Sequence, residues 1–206
     1  MKLFYQLPSS VSLWLRGVFF ASLLLATTLV QAQSKPLANQ PWDYGFWASG
    51  GVSVPGGTKD THMLDAGVRL GKVLTGEHLS GFLRGNFEWS ADLIPLYYIW
   101  QPKPARNALA EGFNPLNLKW NFTNWTRAIP FAELGGGVLF SNHDVPLGTS
   151  RVNFLTHGTF GIQFFNTENR ALTASVRFEH ISNAGLTTPN PGINTVQFLL
   201  GVNWFR

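Results

Sequence analysis

The chain has 206 residues, with 15 Lys+Arg against 11 Asp+Glu and a formal net charge of +4. Only 13% of residues are charged, while 45% are hydrophobic and 14% aromatic, against the roughly 25% charged residues of an ordinary soluble domain. Such a composition excludes intrinsic disorder, the absence of Cys excludes a disulfide scaffold, a Cys-liganded zinc site and thiol catalysis, and the length favours one domain.

Residues 1–32 read as a signal peptide. Lys2 and Arg16 precede an apolar run over 17–30, and Val30-Gln31-Ala32 puts small residues at the −3 and −1 positions of a cleavage site. The run is shorter than the roughly 20 residues a spanning helix needs; an uncleaved anchor is the alternative. Cleavage after Ala32 leaves residues 33–206 as one domain and removes two positive charges, so the net charge falls to +2. That surplus is too small to suggest a nucleic-acid partner. No second long apolar stretch follows, so any membrane insertion must use strands.

From there the chain alternates with a period of two, the signature of two-faced strands. Segment 43–52 is the weakest, with Tyr44, Phe46 and Ala48 on one face. Segment 62–74 sets Leu64, Ala66, Val68 and Leu70 against Asp65 and Arg69. Segment 81–93 sets Phe87, Trp89, Ala91 and Leu93 against Arg84, Glu88 and Asp92. Segment 115–122 opposes Leu116, Leu118, Trp120 and Phe122 to Asn117, Lys119 and Asn121. Segment 128–140 carries Ala132, Leu134, Val138 and Phe140 opposite Glu133 and glycines. Segments 153–164, 172–182 and 194–205 repeat the pattern, the seventh with Leu172, Ala174, Val176 and Phe178 against Arg177 and Glu179. Eight strands result.

The expected fold is all-β, an eight-stranded antiparallel transmembrane β-barrel with oily residues outside and mutually neutralising charges inside. The aromatic content is too high for one small interior, and Tyr44, Trp89, Trp120 and Trp204 fall near strand ends, where an interfacial girdle belongs. A water-soluble, lipocalin-like barrel is the rival, because periodicity alone does not say which face is wet. Connections alternate between long (55–61, about 100–111, 141–151, 183–193) and short (75–80, 123–127, 166–169). Outer-membrane barrels have short periplasmic turns and long outer loops, which puts both termini in the periplasm.

One stripe breaks its own pattern. His180 and Ser182 end the oily face of the seventh strand, at the depth of lipid head groups. A hydroxyl needs a nearby base to become a nucleophile, and His supplies one near neutral pH. Backbone N–H groups of Asn183, Ala184 and Gly185 follow where the chain turns, placed to meet an oxyanion. Asn194 shares the parity of Val196 and Phe198, so it faces outward on the next strand, within reach of His180. Lone interfacial polar residues are the bland alternative.

The run His180-x-Ser182-Asn183-Ala184-Gly185-Leu186, followed by Pro189-Asn190-x-Gly192-Ile193, resembles the signature of the PagL family of outer-membrane lipid A 3-O-deacylases. The resemblance implies that Ser182 and His180 are nucleophile and base of a Ser-His-Glu triad on the outer wall. It maps the oxyanion region to Asn183, Ala184 and Gly185, and the family's loop Asn to Asn190. It also implies lipid A within lipopolysaccharide as substrate, outer-membrane lipids as surroundings and no cofactor. A homodimer is compatible with it. The family's triad Glu falls on Asn194, which can orient the imidazole but cannot supply a charge. A non-catalytic barrel with a decayed triad is therefore the alternative function, and a narrow channel a third. His62, His78, His143 and His157 lack metal-ligand spacing, so no metal is expected. Lys59, Lys103, Arg106 and Arg151 lie in the long loops, where they could meet lipid A phosphates.

Overall fold

The computed structural model describes residues 36–206; the signal peptide expected over 1–32 lies outside the described residues. Eight strands follow one another among the described residues: β1 (Trp42–Val54), β2 (His62–Val73), β3 (Gly85–Trp100), β4 (Ala108–Phe122), β5 (Ala128–Ser141), β6 (Val152–Thr167), β7 (Arg170–Ser182) and β8 (Ile193–Phe205). Each pairs antiparallel with the next, and β1 pairs with β8, so the sheet closes into a barrel. No helix among the described residues is long and apolar enough to cross a membrane.

The polarity is inverted. On β7, Val176 and Phe178 are 50% and 49% exposed, while Arg177 and Glu179 between and beside them are 1% and 0% exposed. Leu134, Phe160, Phe198 and Leu200 are likewise exposed on the outer wall. A surface this oily is stable only in an apolar medium.

The interior is stratified. A polar middle holds six carboxylates (Asp43, Asp65, Glu88, Asp92, Glu133, Glu179) with Arg69, Lys119, Arg177 and His157. Arg69 forks between Asp92 and Glu133, its Nε 2.7 Å from Asp92 Oδ1 and its Nη1 2.7 Å from Glu133 Oε2. Lys119 Nζ lies 2.6 Å from Glu88 Oε1. Above this band, at the long-loop end, an apolar cluster includes Ile94, Tyr97, Leu139, Leu155 and Ile181; below it, Leu37, Val73, Ile129, Phe165 and Phe205 close the other end. Trp47 points inward too, partly buried against the upper cluster, with the Arg177 guanidinium 5.0 Å from its ring. Gly67 admits that ring, since a Cβ there would stand 2.6 Å from Trp47 Cζ2.

Three expectations need correction. β3 and β4 extend well beyond 93 and before 115, shrinking the loop between them to residues 101–107. The cause is a pair of irregularities. Register shifts fall between Ile94 and Tyr97 and between Phe113 and Leu116, so Pro95-Leu96 and Pro115-Leu116 each present two consecutive residues outward. A bulge swaps the parity of everything beyond it, and proline is tolerated there because it has no N–H for the ladder. Second, the connection expected to be short at 75–80 spans residues 74–84, longer than the loop at 55–61, and carries a 3₁₀ turn (Gly81–Leu83). The strict alternation of long and short connections therefore fails. Third, Arg84 does not join the interior charges; it caps that turn, half-exposed, and pairs with Glu77.

Candidate functional site

The site residues come from the β7–β8 hairpin at the long-loop end. β-pairing sets His180 directly opposite Asn194, and both side chains point outward, continuing the stripes of Phe178 and Val196. His180 Nδ1 lies 2.7 Å from Asn194 Oδ1. A carbonyl oxygen can only accept, so Nδ1 carries the proton and the Nε2 lone pair is left free. Ser182, two residues along the same face and opposite Phe154 of β6, is half-buried. Among the described residues no hydrogen bond joins Ser182 Oγ to the imidazole. Both groups nevertheless share one outward stripe, and catalytic hydrogen bonds are often long without substrate.

Asn183 starts the loop and is buried. Its Oδ1 accepts from the Gly185 N–H at 2.9 Å, and its Nδ2 donates to Thr187 Oγ1 at 2.7 Å. The Asn183 N–H in turn donates to Asn190 Oδ1 at 3.2 Å. These bonds fix a turn in which Ala184 and Gly185 adopt φ of 52° and 80°. The side-chain amide satisfies the backbone locally, and Gly185 supplies the left-handed conformation without penalty. Of the three N–H groups expected to face an oxyanion, those of Asn183 and Gly185 thus have internal acceptors, whereas Ala184 N–H has none among the described residues.

Neighbouring loops hold this turn from both sides. Thr187 Oγ1 donates to the Thr149 carbonyl at 3.1 Å, and the Thr58 N–H donates to the Gly192 carbonyl at 2.8 Å. Lys59 and Arg151 therefore flank the motif, exposed, while Lys103 and Arg106 sit on the loop between β3 and β4. Glu179 is not part of the site. It faces the interior, where Tyr97 Oη donates to it at 2.6 Å and Gln197 Nε2 at 2.9 Å. Asp144 pairs with Arg151 at 3.6 Å. No cluster of His, Asp and Glu among the described residues could hold a metal.

A shallow, open groove of about 350 Å³ lies on the outer wall below His180 and Asn194, lined by Gly50, Val52, Val176, Val196 and Phe198. Sequence reasoning missed it, together with the contribution of residues 56–58. Alternation marks Gly50 as outward, but a missing side chain becomes a groove only once β8, with β7 on its far side, stands beside β1.

Fold and site together define a membrane-embedded β-barrel with a histidine–serine motif displayed on its lipid-facing wall. The sequence matches the family model "Lipid A 3-O-deacylase (PagL)" over residues 63–203. The chain belongs to that family of outer-membrane proteins. Among solved structures it is similar to the outer membrane enzyme PagL, with a TM-score of 0.53 and 21% identity, covering 77% of this chain and 97% of that one. It is also similar to Neisserial surface protein A, with a TM-score of 0.49 and 14% identity over 79% of this chain and 95% of that one. At these identities the likeness is one of fold. No curated protein matches the sequence.

Proposed function

We propose that the protein hydrolyses the ester-linked 3-O-acyl chain of lipid A at the outer surface of the barrel, with Ser182 as nucleophile, His180 as general base and Asn194 as the group that orients His180. The hydrogen bond from His180 Nδ1 to Asn194 Oδ1 at 2.7 Å carries the proposal, because it leaves the Nε2 lone pair free to take a proton. Ser182 Oγ attacks the ester carbonyl carbon as His180 Nε2 takes its proton. Collapse of the tetrahedral intermediate expels the sugar hydroxyl, which receives that proton, and leaves an acyl-serine. Water, deprotonated by the same nitrogen, then releases the fatty acid and restores Ser182. Ala184 N–H and the side-chain amide of Asn190 are the donors proposed for the oxyanion, with Asn183 and Gly185 shaping the turn that presents them. The groove beside Gly50 suits the acyl chain, and Lys59 and Arg151 suit the phosphates. In this orientation the long loops face the cell exterior and both termini the periplasm.

Mass spectrometry of lipid A from cells expressing the protein tests this. Loss of one 3-hydroxyacyl group is expected, and Ser182→Ala should abolish it; unchanged lipid A would reject the activity. A non-catalytic barrel is the second reading. It is favoured by the uncharged Asn194 and by the missing Ser182–His180 hydrogen bond, and unchanged lipid A would select it.

A further inference from the structure

The first long loop, residues 55–61, reaches across the seam of the barrel onto the motif. Closure pairs Val54 of β1 with Asn194 of β8, so this loop leaves the sheet beside the site. Three successive residues then contact it. Gly56, at φ 108°, lies so near the Asn194 amide that a Cβ there would stand 2.7 Å from Nδ2. Gly57 runs against the Gly192 backbone, where a Cβ would stand 2.8 Å from its carbonyl oxygen. Thr58 donates its N–H to that same oxygen at 2.8 Å. Gly192, at φ 64°, in turn lies against the imidazole, where a Cβ would stand 2.8 Å from His180 Cε1. The loop is itself pinned at its base, where the Ser53 N–H donates to the Thr61 carbonyl at 2.8 Å and the Thr61 N–H donates to Ser53 Oγ at 3.0 Å. It lies outside residues 63–203, the segment the family model matches.

We infer that loop 55–61 is the positioning element of the His180–Asn194 pair, with Gly56 and Thr58 as its positioning residues. Gly56 leaves room at the Nδ2 end of the Asn194 amide, whose other end, Oδ1, accepts from His180 Nδ1, so a side chain at position 56 would displace the amide from the imidazole. Thr58 holds Gly192 against the ring and limits its rotation. An amide, unlike a carboxylate, presents two chemically different ends, so a displaced amide can turn its donor end to Nδ1 and reverse the tautomer. The inference rests on the proposed roles of His180 and Asn194, and its test has a readout that does not need turnover.

Protein labelled with ¹⁵N-histidine is studied by NMR in detergent micelles, with the His180 signal assigned by its loss in His180→Asn. The wild type should show the Nδ1–H tautomer of His180. Gly56→Ala and Thr58→Pro should each shift it towards the Nε2–H form, as Asn194→Ala does, while Asp60→Asn leaves it unchanged. Heat-modifiable electrophoretic mobility confirms that each variant is a closed barrel. In deacylation assays the same two variants should lower kcat by roughly 10- to 100-fold at constant KM. Gly56→Ala should add nothing in an Asn194→Ala background, because it acts through that residue. An unchanged His180 tautomer in both folded loop variants overturns the inference, as does an additive loss in the double variant. If the wild type is inactive, the proposed function fails, and the tautomer comparison still decides the role of the loop.

Discussion

Asn194→Asp isolates the contribution of charge at the third position. Aspartate has the shape of asparagine, so the 2.7 Å contact to His180 Nδ1 is retained and only the charge changes. Two unit charges about 4 Å apart interact by about 1 kcal/mol in water and about 4 kcal/mol at the effective dielectric constant of a protein surface. His180 and Asn194 are both half-buried, which places the gain between these limits. At about 1.4 kcal/mol per tenfold in rate, kcat should rise by roughly 5- to 700-fold. The gain should stay below the roughly 10⁴-fold loss of an acid-to-amide change in a serine protease, which arises chiefly from the wrong tautomer; here the amide oxygen already selects the Nδ1–H form. The assay is release of 3-hydroxy fatty acid from purified lipopolysaccharide in mixed micelles, with barrel closure checked by heat-modifiable mobility. A folded Asn194→Asp protein with an unaltered kcat, beside an Asn194→Ala protein that loses nothing, would refute the role given to this residue. Asn194→Glu, the residue of the family pattern, should gain less than Asp, because its extra methylene has to fit against Gly56.

His180→Ala should reduce deacylation by about 10⁴-fold or more, as removal of a triad base does; retention of a tenth of the rate in a single-turnover assay would exclude His180 as the base. Gly50→Trp fills the outer-wall groove without disturbing the barrel, since a Cβ at Gly50 meets nothing nearer than the Met63 carbonyl oxygen at 3.8 Å. The fatty acids released should then become shorter, and an unchanged chain-length profile by mass spectrometry would remove the groove from the substrate path. Arg69→Met strands two buried carboxylates, Asp92 and Glu133. It should destabilise the barrel by about 3–5 kcal/mol, read from urea unfolding in detergent; a loss under about 1 kcal/mol would mean that water or protonation compensates them. With apolar clusters closing both ends of the interior, planar bilayers should show no unitary conductance, and reproducible steps would restore the channel reading.

The barrel was legible because its two faces differ in chemistry and every strand repeats the contrast. Leu172 to Phe178 against Thr173 to Glu179 states an inside and an outside with no help from neighbours. Legibility failed where the period itself breaks. A template of strict alternation stops at Leu93 because Pro95 and Leu96 both face outward, and it starts late in β4 because Pro115 and Leu116 do the same. The apolar ends of the interior were hidden for a related reason. Tyr97, Ile99 and Leu155 look like outer-wall residues by type, and only their parity after the bulge or within β6 turns them inward. Arg84 failed differently, since its position past a 3₁₀ turn gives it Glu77 as a partner before any strand begins.

The site divides along the same line between local and closed. His180, Ser182 and Asn194 lie on one hairpin, so parity and a single turn were enough to put them on one face. The groove and the seat of the imidazole depend on β1, which comes beside β8 only when the sheet closes on itself. Closure also explains why residues so distant in sequence as Thr58 and Gly192 meet: in an eight-stranded ring the first long loop and the last are neighbours. A motif at the end of such a chain is therefore bordered by residues from its beginning. Substitutions at 50–58 should tune chain length and imidazole orientation separately, the former through the groove at Gly50 and the latter through the room left at Gly56, without altering any residue of the motif itself.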